Sequence, residues 1–276
     1  MIENEVPGYI DLLASFPPSF ASIIGITGPP GAGKSTLVDG LIKDLVGKNK
    51  KVAVLCVDPS SPFNLGALLG DRVRMSNWYT HPNVFIRSLA SRGAVGGLHP
   101  KIIEISDAVK VAGFDYVIIE TVGVGQSEIE IAGLADTTVV VLVPESGDEV
   151  QTMKAGLMEI ADIFVVNKSD RPQADTFVNH LRLMLAPSFK HHADEIPVLK
   201  TIATEQAGIA ELIEKIEAHQ KLVNKKDRHY WLLAEKAYHL VQQHRMKDLF
   251  KQDLYERISG EQVNNLYHFL QREKLI

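Results

Sequence analysis

Gly28-Pro-Pro-Gly31-Ala32-Gly33-Lys34-Ser35-Thr36 follows the apolar run Ser22-Ile-Ile-Gly-Ile-Thr27 and opens a stretch with helical spacing. A G-x-x-x-x-G-K-S sequence between a strand and a helix is a phosphate cradle standing where it can work. The loop from Gly28 through Gly31, Ala32 and Gly33 lets backbone N–H groups turn inward around a β-phosphate. Lys34 adds a point charge toward the β- and γ-phosphates, and the Ser35 hydroxyl is placed to ligate Mg²⁺. With Thr36 these residues form the first half of a nucleotide site. An ordinary glycine turn is the competing reading, and the strand–loop–helix context argues against it.

The base is named much further along the chain. Asn167-Lys168-Ser169-Asp170 ends the apolar run Ile163-Phe-Val-Val166, where a strand should finish. A carboxylate at Asp170 can accept from both N1–H and the exocyclic amine of guanine. Adenine offers an acceptor and no amine at that edge, so the carboxylate would face lone-pair repulsion. Such charge-assisted bonds are worth roughly 1.5–3 kcal/mol each. An N-K-x-D downstream of a phosphate loop therefore selects GTP and GDP over the adenine nucleotides.

Composition fits a water-soluble α/β enzyme. The chain has 276 residues, 45% hydrophobic and 23% charged, enough for one sizeable nucleotide domain and an appendage but not for a second large domain. A formal net charge of -5 gives no footing for nucleic acid, and the basic stretches Lys48-Asn-Lys-Lys51 and Lys225-Lys226 read as solvated helix or strand ends. No apolar run reaches the ~20 residues of a membrane span, and Met1 to Pro7 lacks the character of a signal peptide, so a cytoplasmic location is expected. The one cysteine, Cys56, lies in the strand-like run Val52 to Val57 and reads as a buried thiol.

Strand-like runs at Ile23–Thr27, Val52–Asp58, Val84–Ser88, Tyr116–Glu120, Thr138–Val143, Ile163–Val166 and Val198–Thr201 alternate with helical patterns at Ser35–Val46, Lys101–Ala112, Glu149–Ala161, Ala174–Leu185 and Ile209–His219. That alternation predicts an α/β fold with a doubly wound, mostly parallel sheet and ligand loops at the carboxyl ends of its strands. After about Val223 the spacing of Trp231, Leu232, Leu233, Ala237, Tyr238 and Val241 and then Leu249, Leu254 and Ile258 reads as two or three helices without strands. The expected organisation is a short segment 1–21, a GTPase domain 22–223 and a helical carboxyl-terminal arm 224–276.

A triphosphate with Mg²⁺ needs carboxylates on the water shell of the metal. Asp58 and Glu120 each end a strand run, and Glu120-Thr-Val-Gly123 has the layout of a D-x-x-G switch with Glu in place of Asp, where the Gly123 N–H can sense the γ-phosphate. Asp71, in Gly70-Asp-Arg-Val-Arg-Met75, is a further candidate, with an exposed Asp–Arg pair as the alternative. Val124 stands where many GTPases have a water-orienting Gln. Its presence predicts slow hydrolysis by the isolated chain, or water held by another group such as Asp58 or Gln126.

Taken together, the motifs resemble one family closely, the MeaB/MMAA-type (ArgK-type) P-loop GTPases that act as G-protein chaperones of methylmalonyl-CoA mutase. The resemblance rests on Gly25 to Thr36, Val57-Asp-Pro-Ser-Ser61, Gly66 to Met75, Glu120-Thr-Val-Gly-Val-Gly-Gln-Ser127, Glu145-Ser-Gly-Asp-Glu-Val-Gln151 with Lys154, and Asn167 to Asp170, covering about Ile23 to Ala210. It implies a GTPase that docks on an adenosylcobalamin-dependent acyl-CoA mutase, gates loading of cofactor from a cobalamin adenosyltransferase and protects the mutase. It also implies a homodimer, embraced by the helical arm. Lys34 and Ser35 correspond to the phosphate and metal residues of the family. Asp58, Asp71 and Glu120 correspond to its Mg²⁺-shell and catalytic acids, and Glu145 to Lys154, including Asp148 and Glu149, to a switch that relays nucleotide state to the mutase. Ser146-Gly-Asp148-Glu149 also reads as a helix cap with acidic residues in the first turn, and both readings can hold.

Two departures stand out. Only 27 residues precede the phosphate loop, where family members carry a longer helical extension, and the guanine-supporting S-A-x loop reads Ile202-Ala203-Thr204. The Ala203 N–H can still reach the guanine carbonyl. A nickel-delivery GTPase would need paired thiol or Cys/His ligands, and Cys56 stands alone, while His191-His192 lies in a polar stretch that reads as a loop. A nucleotide-locked scaffold without turnover is the non-enzymatic alternative, and a small-molecule kinase lacks an acceptor site in the sequence. If Asp170 reads the base, Asp170→Asn will move preference from GDP to XDP, because the amide donates where the carboxylate accepted. Titrating both nucleotides against both proteins checks this, and an unchanged ranking refutes it.

Overall fold

The computed structural model describes residues 1–19, 21–58, 75–91, 98–121, 123, 130–146, 157–185, 196–223 and 226–275. Seven strands form one sheet: β1 (Ser22–Thr27), β2 (Val52–Asp58), β3 (Val84–Ala90), β4 (Tyr116–Glu120), β5 (Thr137–Leu142), β6 (Ile163–Val166) and β7 (Val198–Lys200). Their spatial order is β3-β2-β4-β1-β5-β6-β7, and every pair is parallel. From β1 the chain winds outward through β2 to β3, returns to β4 on the inner side, and crosses β1 to build β5, β6 and β7. The crossing puts a topological switch point at the carboxyl end of β1, where open α/β sheets bind their ligands.

The helices are α1 (Tyr9–Ala14), α2 (Lys34–Gly47), α3 (Ile102–Lys110), α4 (Leu157–Ile160), α5 (Ala174–Leu185), α6 (Ile209–Val223), α7 (Lys226–Met246), α8 (Lys251–Gly260) and α9 (Leu266–Arg272). The strands read as unbroken Val/Ile runs because helices cover both faces. Every residue of β4, β5 and β6 is buried. Strand alternation then sorts the side chains. Ile24, Ile26, Val139, Val141 and Val165 join Leu37, Leu41, Leu212, Ile213 and Ile216 of α2 and α6, whereas Val140, Leu142, Phe164 and Val166 pack with Phe177, Val178, Leu181 and Leu185 of α5. The expected strand and helix runs agree with these elements within about two residues wherever described, with two exceptions: α6 runs four residues past the expected His219 to Val223, and α4 begins at Leu157, the stretch before it lying outside the described residues.

Chain contacts divide the molecule into Met1–Leu232 and Leu233–Ile276. The second unit is helical and buries little of its own apolar surface. Leu233, Tyr238, Val241, Met246, Phe250, Tyr255, Leu266 and Tyr267 are exposed, while Phe269 is buried with the Arg257 and Arg272 guanidinium groups 5.7 and 5.6 Å from its ring centre. Asn265 caps α9 by accepting from the His268 N–H at 3.0 Å. No described helix is long and apolar enough to cross a membrane.

Polar ties fix the amino ends of the inner strands. Asp115 accepts from the Lys51 N–H at 2.8 Å and from Lys50 Nζ at 3.3 Å, joining the entries to β2 and β4. The backbone bond to Lys51, with help from Lys50, holds the Asp115 carboxyl below its ordinary value of 3.8. Because the folded value is depressed, its contribution is present above pH 3.8 and is lost as the pH falls through the folded value. Asp115→Asn is expected to cost about 1 kcal/mol near neutrality, a fall of ~2–4 °C in melting temperature, with the difference from the unaltered protein closing in acid. Thermal unfolding across that range checks it.

Candidate nucleotide site

Gly28 leaves β1 at φ +133°, and a Cβ there would lie 2.0 Å from the Val141 carbonyl oxygen of β5, so no larger residue can begin the loop. Lys34, at the first position of α2, folds back and donates to the Gly28 and Pro29 carbonyls at 2.8 and 3.0 Å, and it is 6% exposed. The loop is thus shaped around its own lysine, at the positive end of a 14-residue helix with no acidic residue in its first turn. An entering phosphate meets aligned amides and a cation already in place.

Across the sheet, Ser35 Oγ donates to Glu120 Oε1 at 2.7 Å, with both residues at least 95% buried. Glu120 ends β4, beside Ile26 of β1 and Cys56 of β2. Asp58 lies two residues further along β2, at the same carboxyl edge, placed by backbone pairing with Ala90. A hydroxyl and a carboxylate in contact are hard oxygen donors of the kind Mg²⁺ takes, usually with waters and phosphate oxygens filling its octahedron. Among the described residues no group of three or more His, Cys, Asp or Glu forms a self-sufficient metal cage. The Ser35–Glu120 pair by itself offers such donors at the carboxyl ends of β1 and β4.

Gly123 packs against the start of the loop and its lysine. At φ +83° a Cβ would lie 2.1 Å from the Gly28 carbonyl and 2.5 Å from Lys34 Nζ, so the residue after β4 packs directly on the cradle. Gly28 and Gly123, 95 residues apart in the sequence, are therefore in direct contact. Asp71, Gln126, Asp148, Glu149 and Lys154 lie outside the described residues, as does His191-His192.

The segment Asn167–Asp170, expected to read the base, is tied to the loop before α2. Asn167, 2% exposed, donates from Nδ2 to the Ala32 carbonyl at 2.9 Å, and its Oδ1 accepts from Thr201 Oγ1 at 3.0 Å and the Ala203 N–H at 3.2 Å. Lys168, at φ +56°, sends Nζ to the Gly31 carbonyl at 2.7 Å. Asp170 is exposed in the turn that follows, with the neighbouring Ser169 N–H bonded to the Thr201 carbonyl at 3.0 Å. The Ala203 N–H, expected to face a guanine carbonyl, is here engaged by Asn167. Ile202 keeps the turn without a serine by exchanging backbone bonds with Ala207.

Sequence reasoning missed several members of this constellation. Thr201 orients Asn167, Arg171 pairs with Glu145, and Thr27 and Thr121 bond to each other. The Arg171 hydrogen bond holds the Glu145 carboxyl below the usual carboxylate range, so the loop after β5 is tied to the residue next to Asp170. The available signal was position: each of these residues sits at or just past the carboxyl end of a strand.

Lys34→Ala will leave the fold intact and weaken GTP and GDP alike. Loss of one charge-assisted phosphate contact, worth roughly 1.5–3 kcal/mol, corresponds to an affinity about 10- to 150-fold lower. Calorimetric titration with circular dichroism reads both quantities, and unaltered affinity would remove Lys34 from the cradle.

Comparison with known proteins agrees with this geometry. Residues 12–260 match the family described as Methylmalonyl Co-A mutase-associated GTPase MeaB. A Pyrococcus horikoshii protein named as a GTPase is 50% identical over 224 residues, 78% of this chain and 68% of that one. The mouse methylmalonic aciduria type A homolog, mitochondrial, is 37% identical over 205 residues, 71% of this chain and 48% of that one. The crystal structure of an LAO/AO transport system kinase superposes with a TM-score of 0.64 at 27% identity, covering 96% of this chain and 84% of the other. With the cradle, the Ser35–Glu120 pair and the guanine tetrad held on one sheet edge, the chain belongs to the MeaB family of P-loop GTPases.

Proposed function

We propose that this chain is a GTP-hydrolysing chaperone of an adenosylcobalamin-dependent acyl-CoA mutase, methylmalonyl-CoA mutase or a close relative, gating cofactor loading and protecting the enzyme. The observation that carries the reading is the family match over residues 12–260, which runs beyond the nucleotide domain into the helical unit. The mouse relative, named for methylmalonic aciduria, supports the same direction.

In this reading Lys34 and the cradle amides bind the phosphates, and Asn167, Lys168 and Asp170 hold guanine. Ser35 would ligate Mg²⁺, with Glu120, Asp58 and Asp71 on its water shell. The metal supplies charge neutralisation at the β- and γ-phosphates. Gly123 offers its N–H to the γ-phosphate, and Val124 leaves hydrolysis slow until a partner completes the site. The exposed apolar residues of the carboxyl-terminal unit suit a homodimer contact, a cobalamin adenosyltransferase is a further partner, and the cytoplasm is the expected compartment. A nickel-delivery role is disfavoured because Cys56 is the one cysteine in the sequence and is buried in β2.

Glu145, tied to Arg171, roots the segment 145–154, where Asp148 and Lys154 would relay nucleotide state to the mutase. Asp148→Ala and Lys154→Ala are expected to leave GTP affinity nearly unchanged and to abolish stimulation of GTP turnover by the mutase. Turnover measured with and without methylmalonyl-CoA mutase tests both parts. No stimulation of the unaltered protein refutes the docking, and full stimulation of both variants refutes the relay.

A further inference from the structure

β1 and β4 run in parallel register with Ile26 beside Glu120. The pairing continues one step past that point. The Thr121 N–H donates to the Ile26 carbonyl at 3.0 Å, and Thr121 Oγ1 donates to Thr27 Oγ1 at 2.9 Å. Both side chains are shut off from solvent, at 2% and 0% exposure. Beyond this pair the two chains part. Thr27 leads into Gly28 and the cradle, whereas Thr121 leads toward Gly123, which packs back on the Gly28 carbonyl and Lys34 Nζ. The hydroxyl pair therefore ties β1 to β4, side chain to side chain, at the point where the two segments leave the sheet for the phosphate site.

Packing does not require hydroxyls at these positions. Valine has nearly the shape of threonine, and replacing both partners of a buried hydrogen bond by apolar groups of the same shape can be close to neutral. A hydroxyl pair adds what two valines lack, a directional contact of fixed length.

We propose that Thr27 and Thr121 are positioning residues for GTP hydrolysis. Their bond sets the spacing between the cradle and the Glu120–Gly123 segment, so that Ser35, Glu120 and the Gly123 N–H address the γ-phosphate end of the nucleotide in one arrangement. Both threonines are buried, and each acts through its neighbour. The inference rests on the GTPase assignment and is independent of any partner protein.

The test uses the isolated chain with Thr27→Val, Thr121→Val, the double variant and Thr121→Ser, reading single-turnover GTP hydrolysis, KM, GDP affinity and melting temperature. Each single valine variant leaves one buried hydroxyl without its partner and melts lower, whereas the double variant returns to the melting temperature of the unaltered protein. Hydrolysis falls ~10- to 100-fold in both singles and stays low in the double variant, with KM and GDP affinity within about twofold. Thr121→Ser keeps the hydroxyl and keeps most of the rate. Recovery of both stability and rate in the double variant would make the pair a structural tie only and overturn the proposal, as would unaltered hydrolysis in the singles. Absence of turnover in the unaltered protein would instead strike at the GTPase assignment itself.

Discussion

β1 is the strand on which the site depends, because it is clamped between β4 and β5 and releases the phosphate loop at the point where the winding of the sheet reverses. Its ladder with β4 runs from Ser22 to Ile26, and its ladder with β5 from Ile24 to Thr27. These two seams fix where Gly28 leaves the sheet. The approach to Val141 then excludes any side chain at Gly28, and the lysine that follows is turned back on the loop carbonyls. A shift of one residue in either ladder would exchange the two faces of the strand and move the cradle away from Glu120.

Around that fixed point the structure gathers charged side chains, loop carbonyls and the amino end of α2. The loop carbonyls of Gly28, Pro29, Gly31 and Ala32 are occupied by Lys34, Lys168 and Asn167, which leaves the helix-end amides as the feature offered to an anion. Preorganisation of this kind lowers the ordering cost of binding. It also links the phosphate and base subsites. Asn167 touches the cradle through one end of its amide and the guanine-supporting loop through the other. The two loops are therefore held to each other through one buried side chain.

Much of the fold was legible because its cues are local. Strand runs such as Tyr116–Glu120 and Ile163–Val166 are continuous and apolar, as both faces of a parallel sheet require, and α2 and α5 carry their apolar residues at helical spacing. The residues that close the site were harder to read. Thr201 was passed over in favour of Ala203, because nothing local to a Thr–Ile–Ala turn says that its hydroxyl will orient an asparagine on the neighbouring strand. Arg171 carries no local signal either, because its partner Glu145 lies 26 residues away on the loop after β5.

The sequence by itself determined the phosphate cradle, the guanine tetrad and the alternation of strands with helices, because each is encoded within a dozen contiguous residues whose geometry is set by glycine freedom, helix dipoles and side-chain period. Only the tertiary structure decided which of those pieces meet. Ser35 and Glu120 are 85 residues apart, Thr27 and Thr121 are 94, and Asn167 and Lys168 reach the cradle across 135 and 137. Such contacts depend on strand order and register. Those arise from burying both faces of one seven-stranded sheet at once, which no short stretch of sequence can specify.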